Sequence, residues 1–120
     1  MTTLVLAACG GDDDAAEVDG LPTVEGAPEL VVVGTDFAFE PDVLHLVAGE
    51  AVNVLLESSE GGHDLAVDEP GGFRLPIVDE GESTRGALVI DEPGTYDLRC
   101  TVPGHAEEGM VGTVEVAEPA

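Results

Sequence analysis

Three side chains able to bind a metal recur at even spacing near the C-terminal end: Cys100, His105 and Met110, with four residues between each pair. A thiolate, an imidazole and a thioether suit zinc, calcium or magnesium poorly, because a thioether is a very weak ligand for hard and borderline ions. Copper fits the set. One Cys and two His with a long axial Met serve both Cu(I) and Cu(II), so an electron moves with little rearrangement of ligands. The loop lacks the second histidine. His63 is the candidate, because it opens a strand-like run after Ser58 to Gly62 and can reach the loop from a neighbouring strand. Taken alone, His63 reads as a loop histidine bonded to backbone, and Cys100 and Met110 read as core residues; the combination is what points to a metal. The third histidine, His45, shares a face with Val43 and Val47 and is expected to be structural, tucked against that face or lying at the sheet edge.

The ligand loop joins two strand-like runs, Thr95 to Cys100 and Val111 to Val116, with Pro103, Gly104 and Gly109 supplying its bends. From Glu29 onward the chain alternates short apolar runs with Gly, Pro and acidic turn residues, which predicts an all-β sandwich of seven to eight strands. The other runs are Leu30 to Val33, Val43 to Val47, Ala51 to Glu57, His63 to Val67 and Arg85 to Ile90. The stretch from Gly71 to Glu82 reads as irregular, with Phe73 and Leu75 packing across one end. Hydrophobic residues make up 43% of the chain and aromatics only 3%, so the core must come from Val, Leu, Ile and Ala, a mixture that favours strands.

Charge narrows the partners. There are 26 acidic residues against Arg74, Arg85 and Arg99, with no lysine, for a formal net charge of −23. Nucleic acid is excluded, since neutralising phosphates requires clustered Lys and Arg. The acidity suits solubility, a high-salt habitat, or the steering of a basic partner. At the N-terminus, Leu6-Ala7-Ala8-Cys9 resembles a prokaryotic lipobox with Cys9 as the lipidated residue, and a polar tether follows to about Pro28. Residues 1–28 are thus expected as a lipoprotein signal remnant and flexible tether, and residues 29–120 as the folded domain. The run from Thr2 to Ala8 lacks the positive start and the length of a signal peptide, so either the start lies upstream or this is an ordinary disordered N-terminus. A Cys9–Cys100 disulfide would tie a linker to a core strand and is disfavoured.

The region from Glu29 to Val116 resembles a cupredoxin, the small blue copper fold. The resemblance rests on Phe37-Ala38-Phe39-Glu40-Pro41, on Val47-Ala48-Gly49-Glu50-Ala51-Val52, on His63, and on Pro93-Gly94-Thr95-Tyr96 ahead of the Cys100 loop. It implies a Greek-key sandwich in which His63, Cys100 and His105 hold one copper ion near a plane, with Met110 as weak axial ligand. It also implies a surface-lying His105 as the electron's exit, with Pro103, Ala106 and residues near Pro41 around it. Many members carry Asn after the first ligand histidine. Here it is Asp64, whose carboxylate can accept hydrogen bonds from Thr101 but whose charge would favour Cu(II) and lower the potential.

These readings converge on a monomeric, extracytoplasmic one-electron carrier, attached to a membrane only through Cys9, with redox proteins docking near His105. Two alternatives stand beside it. A copper enzyme is disfavoured, because catalytic copper needs further histidines and only His45 is spare. Delivery of copper to a membrane oxidase would require an exchangeable ion.

Overall fold

The computed structural model describes residues 16–119. It contains ten strands: β1 (Ala16–Glu17), β2 (Glu29–Thr35), β3 (Ala38–Glu40), β4 (Val43–Val47), β5 (Val52–Ser58), β6 (His63–Val67), β7 (Phe73–Val78), β8 (Glu82–Leu88), β9 (Gly94–Arg99) and β10 (Val111–Ala117). They form two five-stranded sheets, ordered β1-β8-β5-β2-β3 and β4-β10-β9-β6-β7. The chain changes sheet after β3, β4, β5, β7 and β8, so an all-β sandwich with crossed connections results, in accord with the sequence expectation.

Period-two alternation explains the layers. In β4, Leu44 and Leu46 are buried while His45 between them is exposed. In β5 and β10, Val54, Leu56, Val114 and Val116 likewise face inward. Leu65, Val67, Leu75, Leu98 and Ile90 complete a core that holds Phe39 as its one buried aromatic. Each fully buried Val or Leu contributes on the order of 1.5–3 kcal/mol, so aliphatic side chains supply most of the core's stabilisation.

Three strands lie outside the expected runs. β7 occupies the stretch read as irregular: Pro76 removes a backbone donor, which an edge strand paired only with β6 tolerates. The short β3 folds back on β2, Thr35 opposite Ala38. The segment expected as tether is not free over its described part. Ala16 and Glu17 pair in parallel with β8, Val18 N–H donates to Ser83 O at 2.6 Å, and Leu21 N–H donates to Arg85 O at 3.0 Å. Arg85 ties this strap to the start of β2 by pairing with both Glu17 and Glu29, with Nη1–Oε2 at 2.5 Å and Nε–Oε2 at 3.2 Å. Cys9 lies outside the described residues.

Candidate metal centre

The site forms where β6, β9 and β10 reach one end of the sandwich. Arg99 pairs with Val111, so Cys100 and Met110 stand just past the ladder, joined by Cys100 N–H to Met110 O at 3.2 Å. The loop between them is hydrogen-bonded to itself: His105 N–H to Val102 O and Met110 N–H to His105 O, both 3.0 Å. Gly104 and Gly109, at φ +86° and +113°, make turns that a side chain would strain. His63 starts β6 opposite Val78, and a bulge between His63 and Leu65 sets the direction of its ring.

These elements bring three of the expected residues together. Donor atoms of His63, Cys100 and His105 all lie within 4.8 Å of one another. His63 Nδ1 is 3.2 Å from His105 Nδ1, which is 3.7 Å from Cys100 Sγ. Metal bonds of about 2.0 Å from imidazole and about 2.3 Å from thiolate, at angles of roughly 110–120°, hold such atoms about 3.3 and 3.7 Å apart. His63 Nε2 donates to the Glu60 carbonyl, and Asp36 Oδ1 lies 3.5 Å from it. That bond fixes the proton on Nε2 and leaves the Nδ1 lone pair facing the centre, where a cation satisfies it.

His63, Cys100 and Met110 are buried, and His105 is half-buried. A Cβ at Gly34 on β2 would meet His63 Cδ2 at 3.1 Å and the Met110 methyl carbon at 3.3 Å, so both side chains converge over this glycine. Cys100 is an unbridged thiol. Burial pushes its pKa up, while the main-chain amides of Asp64 and Val102, aimed at the sulfur, pull it down.

Asp64 and Thr101 are placed as expected. The buried Asp64 accepts from Thr101 N–H at 2.6 Å and from the Thr101 hydroxyl, linking β6 to the ligand loop. Of the two placements expected for His45, the structure gives the sheet edge. His45 projects from edge strand β4 to solvent, 3.5 Å from Glu115, because the neighbours that alternation turns inward are Leu44 and Leu46.

Four contributors escaped the sequence. Gly34 could have been found, since a glycine inside an apolar strand marks a close approach. Phe37, whose ring meets His105 edge-on at 4.9 Å between centroids, was noted only within its motif. Glu60 and Arg74 carry no local signal.

The sequence matches copper binding proteins of the plastocyanin/azurin family over residues 27–117. No curated protein sequence matches significantly. Among solved structures, a reduced auracyanin from the photosynthetic bacterium Roseiflexus castenholzii superposes with TM-score 0.67 at 18% identity, covering 77% of this chain and 99% of that one. Auracyanin A, a blue copper protein of Chloroflexus aurantiacus, gives 0.66 at 19%, covering 76% and 99%. A chain from a heme-copper terminal oxidase dimer gives 0.63 at 16%, covering 91% and 77%. At such identities the likenesses are of fold, and they agree with the family assignment. By the family match over residues 27–117 together with the donor set and its geometry, the chain belongs to the plastocyanin/azurin family of copper-binding proteins, the cupredoxins, and takes one copper ion.

Proposed function

We propose that the protein is a one-electron carrier in which His63 Nδ1, Cys100 Sγ and His105 Nδ1 would hold the copper, with Met110 as a fourth, weaker ligand. The convergence of the first three donors within 4.8 Å carries this reading. The ion supplies the one-electron redox change. The chain's part is to fix the donors on strand ends, keep water from three of them, and present His105 to a partner beside Phe37. Exposed Glu107 and Glu108 flank that end, so a docking partner of basic surface complements it. Transient redox encounters bury little area, which suits a small exposed patch and a monomer.

The same reading places the protein outside the cytoplasm, lipidated at Cys9. Mass spectrometry of protein from native membranes tests this, and an unmodified Cys9 would end it. No catalytic role is assigned: His45 is remote from any other donor except Glu115, and the described residues hold one cluster of His and Cys. Adding Cu(II) to the purified protein should produce an intense blue or green thiolate-to-copper band, and Cys100→Ser should abolish it. A colourless wild type sinks the carrier.

Likeness to a chain of a heme-copper terminal oxidase favours a second reading, delivery of copper to such an oxidase. Burial of three donors argues for slow release. Rapid loss of copper to a chelator, with no electron exchange with redox partners, would favour delivery.

A further inference from the structure

We propose that Arg74 is a positioning residue of the copper site: with Asp64 it forms a charge-balanced clasp that ties the His63 strand to the Cys100 loop and offsets the negative charge beside the metal. The inference rests on the reading of His63 and Cys100 as ligands.

The outer face of β6 carries Asp64, Ala66 and then Asp68 just beyond its end. Ala66 stands between Arg74 of β7 and Arg99 of β9 in the pairing register. Each arginine takes one acid: Arg99 Nε lies 2.9 Å from Asp68 Oδ2, and Arg74 Nε lies 3.3 Å from Asp64 Oδ2. The two pairs differ in kind. Asp68 is exposed, whereas Asp64 is 0% exposed and sits next to a ligand.

Asp64 is fully engaged. One carboxylate oxygen accepts from Thr101 N–H at 2.6 Å, and the other accepts from the Thr101 hydroxyl and from Arg74. Arg74 Nη2 closes the ring by donating to Thr101 Oγ1 at 2.8 Å. One guanidinium therefore touches both the residue after His63 and the residue after Cys100. The Asp64 amide is also one of the two aimed at the Cys100 sulfur, so a displaced Asp64 would alter a ligand's hydrogen bond.

An amide at this position would hold the two segments together without charge. A carboxylate does so at the risk of an unpaired buried anion beside the metal, which is strongly unfavourable and favours Cu(II) over Cu(I). Arg74 removes that penalty. It is one of only three Lys or Arg residues in a chain with 26 acids, and it occupies an edge-strand position from which it reaches both segments.

The test is a spectroelectrochemical titration of copper-loaded wild type, Arg74→Gln, Arg74→Lys, Asp64→Asn and the double variant Asp64→Asn/Arg74→Gln. Arg74→Gln should lower the potential by about a tenfold change in the Cu(I) to Cu(II) affinity ratio, about 59 mV for one electron. Arg74→Lys should recover most of that shift, since it keeps the charge. In the Asp64→Asn background, Arg74→Gln should have little effect, because the Arg74 side chain is 60% exposed and, without a carboxylate to hold it, turns into water where its charge is screened. An Arg74→Gln potential equal to wild type, or an equal drop with and without Asp64, overturns the clasp. If Arg74→Gln does not fold, the comparison of Asp64→Asn with wild type decides: the clasp requires the two potentials to lie close, and a rise of tenfold or more overturns it. A wild type without a copper–thiolate band overturns the ligand reading and the clasp together, whereas a coloured wild type with unchanged variants overturns the clasp alone.

Discussion

A methyl group at Gly34 would lie 3.1 Å from His63 Cδ2 and 3.3 Å from the Met110 methyl, closer than two packed ligands can readily yield. Gly34→Ala is therefore expected to weaken copper binding and to cost the fold about 1–3 kcal/mol, the usual range for overpacking. Denaturant unfolding of the copper-free protein and a chelator competition check the two parts. Cys100 adds a pH dependence. Its folded-state pKa is raised by burial, so the thiol favours the folded state below the ordinary value of about 8.5 and loses that advantage as pH rises through the folded value. The copper-free protein should thus lose stability above about pH 8.5, and Cys100→Ala should show less of that decline in thermal unfolding at stepped pH. Residues of this scale differed in legibility for a physical reason. Cys100, His105 and Met110 sit on one loop, so their spacing displays the donor set directly. His63 needed the loop to give it meaning, and Arg74 acts only after β7 has folded against β6, which no spacing along the chain records.

Among the elements, β8 shows how an edge is covered. Its outer side is taken by the strap, with Ala87 N–H donating to Pro22 O at 2.9 Å and Leu21 lying over Gly86, where a Cβ would be 2.7 Å from that of Leu21. A chain beginning at Glu25 would bare this edge, and an uncovered edge strand invites pairing with another chain. Such a truncation should self-associate where the longer chain does not, as light scattering across a concentration series would show. The strap was hidden because Glu17, Asp19 and Gly20 read as polar linker, and its bonds are made by the main chain. Strand β7 was hidden by Pro76, together with Gly71 and Gly72 before it. By contrast, β4, β5 and β10 announced themselves through recurring Val and Leu, β9 followed the Glu92-Pro93-Gly94 turn, and their edges fell within a few residues of the expected ones.

For the molecule as a whole, charge is the feature without compensation. Arg74, Arg85 and Arg99 are each committed to an acidic partner, and the chain carries a formal net charge of −23. Raising salt shortens the Debye length from about 10 Å at 0.1 M to about 3 Å at 1 M and so relieves self-repulsion. The melting temperature should rise over that interval, and electron exchange with a cationic partner should slow; a calorimetric scan and stopped-flow rates at the two salt levels report each effect. The strap has a consequence for direction. Ala16 N–H donates to Gly81 O at 3.2 Å, and Gly81 N–H donates to Ser58 O at 2.9 Å, just ahead of the turn that leads into His63. Ala16 thus joins the sandwich at the end that holds His63, Cys100 and His105. A mooring at Cys9 would have a leash of at most about 25 Å to Ala16, so it would hold the His63–Cys100–His105 end near the surface to which the chain is moored and turn the Glu92-Pro93-Gly94 end outward.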